Sequence, residues 1–188
     1  MLQRLAPAEV AAVLNVLLGR YPNLREEAER IAVELLSFPS ADEVSEGLYT
    51  ALTSLGIDAL NRRSGRQRGR YVEPSEAAWE LLDEAVEDAM GDMKRRMELG
   101  LEESAEVICQ GIVAGLRRAE EFPSDGVLAW APDFPAEKAC HAVGEFLRAC
   151  PKEKRRAVRD RLIGAVGEGA PDWSDLLDRA AKRSVQGK

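Results

Sequence analysis

The chain has 188 residues, 45% of them hydrophobic and 31% charged, which is enough to bury the core of one domain. No run approaches the ~18 apolar residues needed to cross a bilayer, so a membrane-spanning helical protein is excluded. Lys and Arg total 26 against 33 Asp and Glu, and the resulting charge of −7 argues against general binding of polyanions.

Aromatic residues are sparse, while Ala, Leu, Glu and Arg abound. Their unbranched side chains lose little rotamer freedom in a helix, so the composition favours helix over strand. Helical periodicity starts at once. The spacing predicts a helix over 7–20, with Pro7 in its first turn and Val10, Val13, Leu14, Leu17 and Leu18 on its apolar side. Glu9 and Asn15 interrupt this segment, which therefore does not read as a secretory leader. A second helix is predicted over 23–38, with the stripe Leu24, Ala28, Ile31, Leu35 and Phe38 and acids crowding its first turn. Ser40 and Glu43 form the signature of a capping box for a third, whose stripe is Val44, Leu48, Ala51, Leu52 and Leu55.

After a short coil, "IDALN", comes the most unusual stretch, "NRRSGRQRGRYVEP". Arg62, Arg63, Arg66, Arg68 and Arg70 fall within it with no acid among them, and Tyr71 adds an aromatic face. Gly-spaced guanidiniums of this kind match phosphate oxygens, and Tyr71 can stack on a base, so the strip is a candidate site for a phosphate, a nucleic acid or an acidic partner. Without those five arginines, 21 bases face 33 acids. The strip is thus a local exception on a negative body, and Glu76, Glu80, Asp83, Glu84, Glu87 and Asp88 follow it as ready partners.

Pro74 opens a long helix over 74–99, with Trp79, Leu82, Val86, Met90, Met93 and Met97 on one face. Gly100 closes it, and the next helix is buried along Leu101, Ala105, Ile108, Ile112 and Leu116; so short a break predicts an antiparallel pair. "LREEAERI" (24–31) and "LEESAEVI" (101–108) share Leu, Glu, Ala, Glu and Ile at matching offsets, a similarity expected both of diverged repeats and of any two Glu/Ala/Leu-rich helices.

Segment 122–135 carries three prolines and reads as a loop, with Phe122, Val127, Leu128, Trp130 and Phe134 as large apolar groups. Such a loop either covers the end of a helix bundle or offers an anchor to a partner; Phe122, Leu128, Trp130 and Phe134 are the partner-binding candidates. Three more helices are predicted at 136–149, 152–167 and 173–185. No two-residue alternation of β-branched residues occurs, so no sheet is expected.

Catalytic signatures are few. Glu80-x-x-Asp83, Glu84-x-x-Glu87 and Glu103-x-x-Glu106 lie on successive helices in a spacing similar to that of all-helical nucleotide pyrophosphohydrolases, a resemblance that implies a bound Mg²⁺. Glu80, Asp83 and Glu87 border the apolar stripe and are the metal candidates. At about 100° per residue, Glu103 and Glu106 turn away from the partner helix, which predicts a solvated acidic face. His141 is the single histidine, beside Cys140, and the three cysteines Cys109, Cys140 and Cys150 lack CxxC spacing. This set suits neither zinc nor a Cys–His nucleophile and points to a reduced, cytoplasmic setting. No cofactor motif is present.

The segment "GRYVEPSEAAWELLDEAVEDAMGDMKRRMELGLEESAEVICQGIVAGL" resembles stretches of uncharacterised bacterial all-helical proteins, HEAT-like in character. That resemblance implies protein binding and transfers no site residues. The sequence therefore predicts one all-α domain over 1–188, with sub-units 1–61, 62–73 and 74–188. Its seven or eight helices would stack in antiparallel pairs as a short α-solenoid or irregular bundle. The function that follows is a non-catalytic interaction or scaffold module with a protein partner, self-association included. A nucleic-acid-associated factor and a Mg²⁺-dependent pyrophosphohydrolase are the alternatives.

Overall fold

Proline and glycine punctuation sets most helix ends, and in the computed structural model of the chain the helices begin and end near the predicted places. The structure describes residues 2–67, 69–121, 126–169 and 171–186. Pro7 opens α1 (Pro7–Arg20), where its missing N–H costs nothing. The Glu9 carboxylate accepts the otherwise orphaned N–H of Ala6 at 2.8 Å. α2 (Arg25–Leu36) follows a 3-10 turn at Pro22–Leu24. Ser40 caps α3 (Ala41–Thr53) by accepting the Glu43 N–H at 3.2 Å.

Two elements depart from expectation. "IDALN" is not coil but the start of α4 (Ile57–Arg63), which buries Leu60. The arginine strip is not a loop: β1 (Gly65–Gln67) and β2 (Arg70–Val72) pair antiparallel, Arg66 opposite Tyr71, so the expectation of no sheet is corrected. Gly65 and Gly69 take φ of 85° and 93°, left-handed values that let so short a segment turn back on itself. Three residues per strand are too few for alternation to be read from sequence.

α5 (Pro74–Glu98) ends at Gly100, whose φ of 75° allows the Gly100 and Leu101 N–H groups to reach the Met97 and Arg96 carbonyls. This Schellman turn leads directly into α6 (Glu102–Glu121). A 3-10 turn at Val127–Trp130 precedes α7 (Phe134–Ala149), then come α8 (Arg155–Gly169) and α9 (Ser174–Gln186). Among the described residues there are thus nine α-helices and one small hairpin; α4 is the helix beyond the predicted eight.

The chain divides into two compact units, Met1–Phe38 and Pro39–Lys188. The larger is built around α6, on which α3, α5, α7 and α8 all pack, while α9 packs on α7 and α8. α6 buries not one stripe but most of its girth: Ala105, Ile108, Ile112 and Leu116 as predicted, and also Cys109, Val113 and Ala119. Its closest neighbour is α3. A Cβ on Gly111 would lie 2.7 Å from the Ala41 carbonyl oxygen, and one on Gly115 would lie 2.8 Å from that of Ser45. The two glycines, four residues apart, form a flat track on which α3 lies. Leu52, Leu82, Met93, Phe146, Leu162 and Leu177 complete a single core, and the Trp79 and Phe134 rings meet edge to face at 4.9 Å.

The smaller unit is different in kind. Neither α1 nor α2 has a buried residue. The stripes predicted on both helices exist as faces, but Val10, Val13, Leu14 and Leu17 on α1 and Ile31 and Leu35 on α2 stay exposed. The segment matching "LEESAEVI" shows the contrast: Ala105 and Ile108 of α6 are buried, whereas Ala28 is half-buried and Ile31 exposed.

Candidate interaction surface

The arginine strip is shared among three elements. Arg63, in the last turn of α4, grips Glu84 of α5 with both terminal nitrogens at 2.7 and 2.8 Å, and that contact holds its guanidinium pKa above the ordinary value. Arg70 pairs with Glu76. Arg62 and Arg66 are exposed; Arg66 shares one face of the hairpin with the exposed Tyr71. Arg68 lies outside the described residues. Arg63 and Arg70 are therefore turned to carboxylates of α5, among the ready partners that follow the strip in sequence, and Arg66 shares its hairpin face with Tyr71.

The acidic candidates converge on a groove between α5 and α7. Glu80, Asp83, Glu84 and Glu87 line one side, Lys138 and His141 the other, around a volume of about 420 Å³. Lys138 bonds Asp83, and Arg63 occupies Glu84. His141 stands 3.9 Å from Glu145, and partial burial, with Lys138 nearby, lowers its pKa from the ordinary 6.5. Among the described residues no three His, Cys, Asp or Glu side chains gather closely enough to hold a metal ion. Asp83 is thus held by Lys138, and with Glu80 and Glu87 beside it and His141 across the groove the face is a mixed-charge surface.

Glu103 is exposed as expected, but Glu106 corrects the rest of the predicted solvated acidic face on α6. It is 5% exposed, and Arg161 of α8 donates to it through Nε at 2.7 Å and through a second nitrogen. Glu102 is paired with Lys154 at 2.9 Å beside it. Helical-wheel reasoning about Glu103 and Glu106 considered α5 alone and had no means to see Arg161 of α8 arriving.

The three cysteines are free thiols. Burial pushes Cys150 up to about 11 and Cys109 further still, and it also raises Cys140, so none is primed as a nucleophile.

The 122–135 segment splits by depth. Leu128 and Phe134 are in the core with Val127 and Ala131, while Trp130 is 48% exposed on the same 3-10 turn. The Val127 N–H bonds the Leu55 carbonyl at 3.3 Å, which holds the turn against the end of α3. Phe122 lies outside the described residues. Of the four apolar partner-binding candidates, Trp130 is thus the described one that reaches solvent, as a single ring on a fixed base.

The largest apolar surface lies where sequence reasoning saw ordinary core stripes. Among the described residues, twelve of the sixteen large hydrophobic side chains that remain exposed belong to the unit Met1–Phe38. Leu35 and Phe38 are 78% and 85% exposed. On α1, Ala12, Val13, Val16, Leu17, Arg20 and Tyr21 line a shallow groove of about 400 Å³. On the polar side of α2, Arg30 bonds Glu27 at 2.6 Å and Glu34 at 3.3 Å. The signal available in the sequence was α1 itself: apolar residues around most of its circumference, a pattern that belongs to a covered helix.

Comparison with known protein families, with curated proteins and with solved structures gives no match.

Proposed function

We propose that the protein is a non-catalytic protein-interaction module whose docking element is the helical unit Met1–Phe38. The observation that supports this reading is that α1 and α2 contain no buried residue and that the unit around them exposes twelve large hydrophobic side chains. So many exposed large apolar side chains within 38 residues exceed the single scattered ones normal on a monomer and support an interaction surface. A unit of this size does not build a sufficient core alone, so association supplies the burial that its sequence prepares for. The larger unit, with its single packed core and internally paired charges, is the rigid part. Free buried thiols fit a reducing setting, and no helix of the described residues is long and apolar enough to cross a membrane.

The test compares the full chain with Val13→Glu/Leu17→Glu and with Trp130→Ala, each immobilised and exposed to the same protein mixture, which includes the chain itself. Specific capture that disappears in the α1 variant and survives in Trp130→Ala fits the proposal. Equal capture by the wild type and the α1 variant would overturn it.

A further inference from the structure

The α1 surface carries its own complement. At ~100° per residue, Val13 and Leu17 lie about 40° apart on the groove side, and Glu9 and Arg20 share one flank roughly 40–60° from their midline. Those two opposite charges sit near opposite ends of the helix, eleven positions and ~16 Å apart. In an antiparallel pair related by a two-fold axis, a given flank of one helix meets the same flank of the other. With Val13 of one copy set against Leu17 of its partner, Glu9 reaches Arg20 at both ends, and the small Ala12 leaves room beside the larger groove residues.

Three observations support this arrangement. Arg20 makes no ion pair among the described residues, and Glu9 uses one carboxylate oxygen on the Ala6 N–H. The unit 1–38 holds four arginines and five glutamates, a charge of −1 out of −7 for the chain, so two copies approach with little repulsion. A membrane surface or nucleic acid would call for a cationic face, which this unit lacks. α1 itself exposes Val10, Val13, Leu14, Val16 and Leu17, the apolar side chains that such a pairing would cover.

We propose that α1 pairs antiparallel with α1 of a second copy, making the protein a two-fold dimer through its N-terminal unit. This rests on the interaction-module reading and names the partner. Sedimentation of the full chain shows twice the chain mass at micromolar concentration. Val13→Glu/Leu17→Glu raises the dissociation constant at least ~100-fold, because each interface would bury four unpaired carboxylates. Glu9→Arg and Arg20→Glu each weaken the dimer by about tenfold, since each sets like charges together at both ends. An equimolar mixture of those two variants restores assembly, as every contact is again between opposite charges. That recovery separates lost pairing from lost folding. A chain that stays monomeric up to ~100 µM overturns the dimer. If capture of another protein then still depends on Val13 and Leu17, the interaction-module reading stands with a different partner. A dimer indifferent to the α1 variants, or singles that do not recover on mixing, also overturns the pairing.

Discussion

Arg161 of α8 closes over Glu106 of α6, and the two sides of that pair differ in solvent access. The glutamate side chain is 7% exposed and the arginine 59%. The bond joins two helices far apart in the chain and supplies the partner that a buried carboxylate requires. The asymmetry sets what each truncation costs. Arg161→Ala leaves an ion in the interior without its donor and is expected to lower stability by about 2 kcal/mol, a figure reduced for the exposed half of the pair. Glu106→Ala frees a guanidinium that water can solvate, so it costs less. Urea denaturation of the two single variants and the double variant checks the order.

Gly111 and Gly115 are where α3 comes closest to α6. Gly111→Ala places a methyl 2.7 Å from both the Ala41 oxygen and Val44 Cβ, and it is expected to cost about 1–3 kcal/mol even after the gain in helix propensity. Gly91→Ala in α5 meets nothing within 4 Å and is expected to stabilise by about 0.5–1 kcal/mol. Opposite signs in thermal melts of the two variants are the outcome that checks this contact.

The Glu145 carboxyl is held down to about 2 by hydrogen bonds from Arg148 and Lys94, against an ordinary 4.5. Its folded value is the lower one, so the unfolded chain takes up the proton first as pH falls. The contribution to stability is complete above about pH 4.5 and is lost between there and about pH 2. Glu145→Gln is expected to flatten that part of the acid limb and leave the curve from pH 6 to 8 parallel to the wild type, as read by denaturation midpoints across pH.

Thiol accessibility follows burial. Cys140, half-buried with its Sγ 3.9 Å from the Leu176 carbonyl, is expected to react slowly with an aromatic disulfide reagent at pH 8. Cys109 and Cys150 are expected to react only on unfolding. Titration in buffer and in guanidinium distinguishes one slow thiol from three fast ones.

Trp130 and Phe134, four residues apart, differ in burial and are expected to differ in their effect on stability. Phe134→Ala removes a fully buried ring packed on Trp79 and is expected to cost about 3–5 kcal/mol. Trp130→Ala changes stability by under ~1 kcal/mol, because half of the ring is already in water. Equal losses in denaturation would show that Trp130 is structural after all.

The sequence by itself determined where most helices begin and end, α4 excepted, and which faces are apolar. Pro7, Ser40, Pro74 and Gly100 act within one turn of themselves, and 3.6-residue periodicity needs no knowledge of the partner. It could not show what lies against a face. α6 read as one stripe because its second buried side is made of small residues, Gly111 and Gly115, whose value is the space they leave. Glu106 read as solvated because Arg161 is 55 residues away. The same stripe pattern is core on α5 and open surface on α1. Periodicity records that a face avoids water, while only the tertiary structure decides whether this chain covers it or leaves it for another.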